Sequence, residues 1–241
     1  MGNGVTISME NSNKYANNWS AGNRFNGVDQ TPDFQRHGPR NDAPLTGEAQ
    51  GPRSQPQRTQ AARPICCICP GFADRSATEQ FLAATWKLAW PQPLVIWEAT
   101  YQSDRVLEAL RAIDPQRAIG LIGFSAGVVA ALGAAQAWQR RGGRVRAVFA
   151  WDGWGVALPG GLPIYRFSHD RWTHHSSAWL GAGRAQFWAD PPLSHQAFWR
   201  SPDRAWGWWS MPDRAPSRTT AAAMLQTYLQ GWYGLGEDGA A

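Results

Sequence analysis

The chain of 241 residues is poor in lysine and in charge. Only Lys14 and Lys87 among its 23 basic residues are lysines, and charged residues make up 17% of the sequence. Acidic residues are interspersed among the arginines, whereas a nucleic-acid-binding surface needs basic residues clustered on one face. No run approaches the ~18 apolar residues that a membrane-spanning helix requires. We therefore expect neither a nucleic-acid partner nor a transmembrane segment.

Cysteine is also scarce. The three cysteines, Cys66, Cys67 and Cys69, lie in one apolar run, where neighbours rarely meet disulfide geometry. No second Cys/His pair follows at zinc-finger spacing, so they are predicted to be buried apolar residues. Free cysteines, together with an N-terminus that lacks the apolar region of a secretory signal, predict a cytoplasmic protein.

Composition divides the chain near Arg63. Residues 1–62 are rich in Asn, Gln, Gly, Pro and Arg, and their large apolar residues are isolated. Such a segment cannot offset the entropy lost on ordering, so it is predicted to be a disordered polar tail. Residues 63–241 hold 14 of the 15 tryptophans and are predicted to form one domain.

This domain alternates short apolar runs with helical segments. The apolar runs that predict strands are 64–69, 93–97, 118–124, 144–151, 163–167 and 185–189. A final helix is expected from Thr219 to about Gln230. Near-continuous apolar strands that alternate with helices predict an α/β fold, with a mostly parallel, doubly wound sheet of about six strands and helices on both faces.

The most informative motif is Gly123-Phe124-Ser125-Ala126-Gly127. The spacing G-x-S-x-G is a weak signal alone, but here it separates an apolar run typical of a strand from an Ala-rich run typical of a helix. A sharp turn between the two exposes the serine hydroxyl, and small residues on either side leave room for it. The motif predicts a nucleophile at Ser125; the alternative is an ordinary tight turn that packs helix on strand.

From Arg63 to Tyr233 the chain resembles the α/β-hydrolase superfamily. Members carry an acid and then a histidine after later strands, in the order Ser, Asp or Glu, His. Asp170 and His195 match that order and follow the fifth and sixth apolar runs. The resemblance implies a serine hydrolase for a small-molecule ester or thioester, with Ser125 as nucleophile and with neither cofactor nor metal. The oligomeric state stays open.

Other residues compete for the acid and base roles. Asp152, after the fourth apolar run, is the chief alternative to Asp170 as the acid, and Asp190 is a weaker one. Three more histidines lie close to Asp170 in the sequence, which places them poorly for reaching Ser125 from a separate loop: His169, His174 and His175. Together with Asp170 and Asp190, these histidines could also ligate a metal, but their spacings fit no standard ligand helix.

An oxyanion hole needs two backbone N–H donors. The resemblance assigns one to Ala126, directly after the nucleophile, and the other to Phe72, in the turn after the first strand. This chain has Pro70 where many members of the superfamily have histidine.

Seven tryptophans fall between Trp172 and Trp209, around the expected acid and base. They could line a pocket for an acyl or aromatic group, or form the core of a loop-rich segment. Arginines interleave with them, but Asp203 and Asp213 neutralise that region. A protein with a hydrolase fold that is not catalytic, and that binds a partner through these Trp-rich loops, is the alternative to the enzyme.

Overall fold

The computed structural model describes residues 63–233 of the chain. The tail predicted for residues 1–62 and the last eight residues of the predicted domain, 234–241, lie outside the described residues.

The described residues form strands and helices that alternate through most of the chain. The strands are β1 (Ile65–Cys69), β2 (Leu94–Val95), β3 (Ile119–Phe124), β4 (Val145–Trp151), β5 (Ile164–Ser168), β6 (Ala185–Ala189), β7 (Trp206–Met211) and β8 (Arg214–Thr220). The helices are α1 (Arg75–Thr85), α2 (Ser103–Ala109), α3 (Gly127–Arg140), α4 (Arg171–Ala178), α5 (His195–Arg200) and α6 (Ala221–Tyr233).

All eight strands join one sheet in the order β2-β1-β3-β4-β5-β6-β7-β8. Neighbours from β2 to β6 run parallel, and β7 and β8 are added antiparallel. The predicted α/β class with a mostly parallel sheet is thereby confirmed, with more strands than the six expected.

The two additional strands, β7 and β8, form a hairpin that the sequence pattern hides. Strand β7 contains Gly207 among three tryptophans, and β8 carries Arg214, Pro216 and Arg218 and is exposed over most of its length. Charged residues and proline are typical of an edge strand, where half of the backbone groups pair with no other strand. A search for apolar runs therefore misses β8.

Side chains of the strands alternate between two buried clusters. Cys66 and Ile68 belong to one cluster, and Cys67 and Cys69 belong to the other. The first cluster includes residues of α1, α5 and α6, and the second includes residues of α2 and α3. Because successive side chains of a strand point to opposite faces, the clusters lie on opposite sides of the sheet. All three cysteines are buried and free.

The site lies where four adjacent parallel strands end. In the sheet register Phe124 pairs with Trp151, and Trp151 pairs with Phe167. Ser125 follows Phe124 and Asp152 follows Trp151, so the two residues lie next to each other at the edge of the sheet. The crevice beyond the carboxyl ends of parallel strands is the usual ligand site of open α/β sheets. In the described part of the chain, no helix is long and apolar enough to cross a membrane.

Candidate active site

Ser125 occupies the turn between β3 and α3 in a strained conformation. Its φ of 54° lies in the left-handed region, which residues other than glycine rarely adopt. Its backbone N–H donates to the carbonyl oxygen of Trp151 at 2.9 Å, which ties the turn to the end of β4. Strain of this kind persists only where the surroundings impose it, and it is concentrated at functional sites.

The glycines of the motif permit this turn because other backbone segments come very close. A β-carbon on Gly127 would lie 2.0 Å from the carbonyl oxygen of Cys69, and one on Gly123 would lie 2.6 Å from that of Gly127. Neither position has room for a side chain. The spacing of the motif thus follows from the packing of the start of α3 against the ends of β1 and β3.

Asp152 follows β4, is 3% exposed, and also has a positive φ, 56°. Its carboxylate accepts from Nδ1 of His195 at 2.5 Å and from Nδ1 of His169 at 2.7 Å. It also accepts from the backbone N–H of His169 at 3.2 Å. A buried carboxylate needs such partners, since an ionised group without them is strongly disfavoured in the interior. Asp152 is therefore the centre of the polar cluster.

His195 is the first residue of α5, a helix capped by the side chain of Ser194. Its ring stacks on Phe124, the residue before Ser125, with centroids 4.6 Å apart. With Nδ1 bound to Asp152, its Nε2 has no hydrogen bond among the described residues. His195 and Ser125 line the same cavity but do not share a hydrogen bond here. Catalytic hydrogen bonds are often long without substrate and tighten when it binds.

Asp170, the acid expected from the sequence, lies in a different setting. Its carboxylate caps the N-terminus of α4 by accepting from the backbone N–H of Thr173 at 2.5 Å. It also contacts Nε2 of His169 at 3.1 Å. Among the described contacts of His195, the carboxylate partner is Asp152, the alternative acid, and not Asp170.

His169 bridges the two carboxylates through both ring nitrogens. Ionised carboxylates only accept hydrogen bonds, so both contacts are satisfied together when each ring nitrogen carries a proton. The hydrogen bond to Asp152 raises the pKa of His169; burial opposes this, and the charges of Asp152 and Asp170 reinforce it. An imidazolium at His169 is the form that this geometry stabilises.

The pKa of Asp152 reflects opposing influences. Burial, the largest of them, raises the pKa, but hydrogen bonds from His169 and His195 and the charges of the two rings outweigh it, and the net pKa is lowered. Asp152 is therefore ionised at neutral pH. An ionised acceptor on Nδ1 of His195 holds the tautomer whose Nε2 can take a proton.

The two expected oxyanion donors come from segments in close contact. Gly71, at a φ of +64°, approaches the turn so closely that a β-carbon there would lie 2.6 Å from the carbonyl oxygen of Phe124 and 2.9 Å from the amide nitrogen of Gly127. Phe72 follows Gly71 directly and is 70% exposed. Ala126 lines the cavity beside Ser125, whereas Phe72 is not among its lining residues.

The cavity has a volume of about 540 Å³. Its polar lining consists of Ser125, Asp152, His169, Asp170, Thr173 and His195, and the remainder is Ala126, Gly153, Trp154, Val156 and Trp172. The sequence did not place Trp154, Val156 or Thr173 in the site, and it indicated His169 only as a poorly placed competitor for the base. Trp154 and Val156 follow Asp152 in a loop whose sequence has no motif that indicates a binding site. Trp172, by contrast, belongs to the group of seven tryptophans from Trp172 to Trp209.

The remaining candidates lie away from this cavity. His174 is buried and stacks on Trp188 at 4.5 Å, and burial lowers its pKa to about 4. His175 is exposed on α4, where it accepts from Arg171. Asp190 accepts from the indole N–H of Trp208 at 2.9 Å. His175 and Asp190 thus have hydrogen-bond partners of their own, whereas the buried Nδ1 of His174 has none among the described residues.

Asp152, His169 and His195 are also close enough to hold a metal ion, with potential ligand atoms within 4.8 Å of one another. Two ligands of one tetrahedral zinc, each about 2.0–2.1 Å from the ion, lie about 3.3 Å apart. The observed contacts of 2.5 and 2.7 Å between carboxylate and imidazole are shorter. The arrangement has the geometry of hydrogen bonds, with the shared oxygen as acceptor.

Comparison with known proteins adds no family assignment, since no protein-family model and no curated protein matches the chain.

Proposed function

We propose that this protein is a serine hydrolase that cleaves a carboxylic ester or thioester by way of an acyl-enzyme on Ser125. In this proposal the fold is a doubly wound sheet of the α/β-hydrolase type. His195 is the general base and acid, and Asp152 is the orienting carboxylate. The amides of Ala126 and Phe72 are the oxyanion donors.

In the first half-reaction, the Oγ atom of Ser125 forms a bond to the substrate carbonyl carbon while its proton passes to Nε2 of His195. The carbonyl electron pair moves to the oxygen, where the two amides stabilise the negative charge. The tetrahedral adduct then collapses, the bond to the leaving alcohol or thiol breaks, and His195 returns the proton to the leaving atom.

In the second half-reaction, water replaces the alcohol. His195 takes a proton from the water as its oxygen attacks the acyl carbon, and the same amides hold the second oxyanion. Collapse releases the carboxylic acid, and His195 returns its proton to Ser125. Asp152 stays ionised throughout and stabilises the imidazolium.

One observation carries the proposal: Ser125, on a strained turn between strand and helix, shares a cavity with a histidine whose Nδ1 is bound to a buried carboxylate. Each of the three residues follows a different strand of the same parallel sheet. A loop that merely packs a helix on a strand requires neither the buried carboxylate nor the positive φ of Ser125.

The direct test is labelling by a fluorophosphonate probe together with turnover of p-nitrophenyl acetate. Wild-type protein should be labelled, and Ser125→Ala should lose the label and lose kcat by up to about 10⁶-fold. The exposed Ser76→Ala is the matched control and should behave as wild type. Well-folded wild-type protein without label or turnover would refute the enzyme and favour a non-catalytic binding protein.

A further inference from the structure

One side of the cavity is an apolar wall, formed by Trp154, Val156 and Trp172. Trp154 and Val156 belong to the loop after β4, and Trp172 belongs to α4. The two indole rings lie 6.1 Å apart between centroids, at an interplanar angle of 32°. The indole N–H of Trp154 donates to Oγ of Ser176 at 3.2 Å, so its polar atom already has a partner within the protein. The wall therefore offers a ligand apolar surface.

The two tryptophans of this wall are exposed, and Val156 is half-buried. Trp154 is 61% exposed and Trp172 is 68% exposed, whereas Trp151 and Trp199 are fully buried. Large aromatic side chains gain most from leaving water, and an exposed apolar patch beside a reactive group is typical of a ligand site. A cavity of about 540 Å³ lies within the usual range for small-molecule sites.

The charges around the cavity limit the substrate further. Among the residues that the structure describes, no arginine or lysine lines it. The charged groups that are present, Asp152, Asp170 and His169, are paired with one another. An anionic group on the substrate would find no free cation among the described residues that line the cavity and would meet the carboxylate of Asp170.

We propose that the acyl group of the substrate is apolar and uncharged, and that it lies against Trp154, Val156 and Trp172. This inference rests on the proposed hydrolase function. The leaving atom must lie at His195, which protonates it, and His195 is on α5. The wall comes from two other elements, so we assign it to the acyl side of the scissile bond.

The test is a series of p-nitrophenyl esters from acetate to hexanoate, which vary the acyl group at a constant leaving group. Each methylene that becomes fully buried raises kcat/KM by up to about fourfold. We expect kcat/KM for hexanoate to exceed that for acetate by at least about tenfold, which corresponds to partial burial of the chain in an open cavity. A smaller ratio would contradict the inference.

Variants of the wall locate the effect. Trp154→Ala and Trp172→Ala should each lower the ratio of kcat/KM for hexanoate to kcat/KM for acetate by at least about threefold. The reason is that each substitution removes an indole face that covers the acyl chain. Trp179→Ala is the matched control, since Trp179 caps the opposite, C-terminal end of the same helix, is 93% exposed and is not among the cavity-lining residues. An equal fall of the ratio in all three variants would overturn the assignment.

A charged analogue tests the proposal that the acyl group is uncharged. The p-nitrophenyl monoester of adipic acid has the same number of acyl carbons as the hexanoate but ends in a carboxylate. Its kcat/KM should be at least about tenfold lower, since the carboxylate loses hydration without gaining a partner. Comparable values for the two esters would show that the cavity accepts an anion.

Failure of this inference is distinguishable from failure of the proposed function. If Ser125 is labelled but acetate is the preferred ester, the proposed hydrolase function is supported and the proposed apolar acyl group is refuted. If no labelling occurs, ligand-observed NMR can still measure whether methyl hexanoate binds to the Ser125→Ala protein, and this binding tests whether the wall accepts an apolar acyl group. Binding that Trp172→Ala weakens and Trp179→Ala does not would support the wall, and absence of binding would refute it.

Discussion

The ends of β4 and β5 lie side by side in the sheet, and each is followed within two residues by an aspartate, yet the two carboxylates are used differently. The side chain of Asp152 is 1% exposed and holds two imidazoles, whereas that of Asp170 is 24% exposed and caps α4. Only Asp152 contacts His195. The comparison shows that burial and the neighbouring strand, and not position in a loop, decide which acid orients a histidine.

The largest expected difference between Asp152, at the end of β4, and Asp170, at the end of β5, is in turnover. Asp152→Asn should lower kcat by about 10⁴-fold, the size seen when asparagine replaces the acid of a serine protease triad, because His195 is then held in the wrong tautomer. Asp170→Asn is the matched control, since asparagine also caps helices well, and should retain most of the activity. Steady-state kinetics of both variants decide, and a larger loss for Asp170→Asn would return the acid role to Asp170.

His169 connects the two ends, and its removal should lower stability in a manner that depends on pH. His169→Gln should reduce the free energy of unfolding by about 1.5–3 kcal/mol at pH 5, because charge-assisted hydrogen bonds to two carboxylates are lost. The pKa of His169 is raised in the folded protein, so its contribution is complete below the unfolded value of about 6.5. It is lost as pH rises through the raised folded pKa.

Urea unfolding from pH 5 to pH 9 measures this effect, with His175→Gln, an exposed histidine on α4, as control. The difference between wild type and His169→Gln should shrink with rising pH. A difference that is constant with pH would contradict a charged bridge.

At acid pH, the lowered pKa of Asp152 has the opposite effect. The contribution of Asp152 to folding stability persists above about pH 4 and is lost as pH falls through the folded pKa.

The smallest expected effect belongs to the helix cap. In the His169→Gln background, where the contact between Asp170 and His169 is already absent, Asp170→Ala should cost about 1 kcal/mol of folding stability, since the backbone N–H of Thr173 loses its acceptor. Asp170→Ser restores a capping oxygen without the charge and should recover most of that loss. Thermal unfolding compares the two, and equal stability of the alanine and serine variants would mean that the cap contributes little.

Much of the fold could be predicted because local patterns carried it. Six of the eight strands coincide with apolar runs, and α3 begins at the glycine that ends the serine motif. The hairpin of β7 and β8 could not be found in this way, since an exposed edge strand such as β8 is held by pairing with its neighbour and not by burial of its own side chains.

The candidate site was predictable in part for the same reason. Ser125 lies in a motif whose glycines are required by close backbone contacts, so local sequence identifies it. His195 was expected from its order after a strand, and it does line the cavity with Ser125. The sequence favoured Asp170 as the acid and kept Asp152 as the chief alternative, because each aspartate comes soon after an apolar run. His169 as a bridge has no signal in the sequence.

By itself, the sequence determined the α/β class and the serine turn, since alternating strands and helices and a tight glycine-flanked turn are properties of short segments. Only the tertiary structure decided which carboxylate meets which imidazole and which tryptophans stay exposed at the cavity. The physical reason is that these contacts depend on strand order and register. The sheet places the end of β4 beside the end of β3 and brings the start of α5 over both, and no local pattern encodes distances between residues so far apart in the chain.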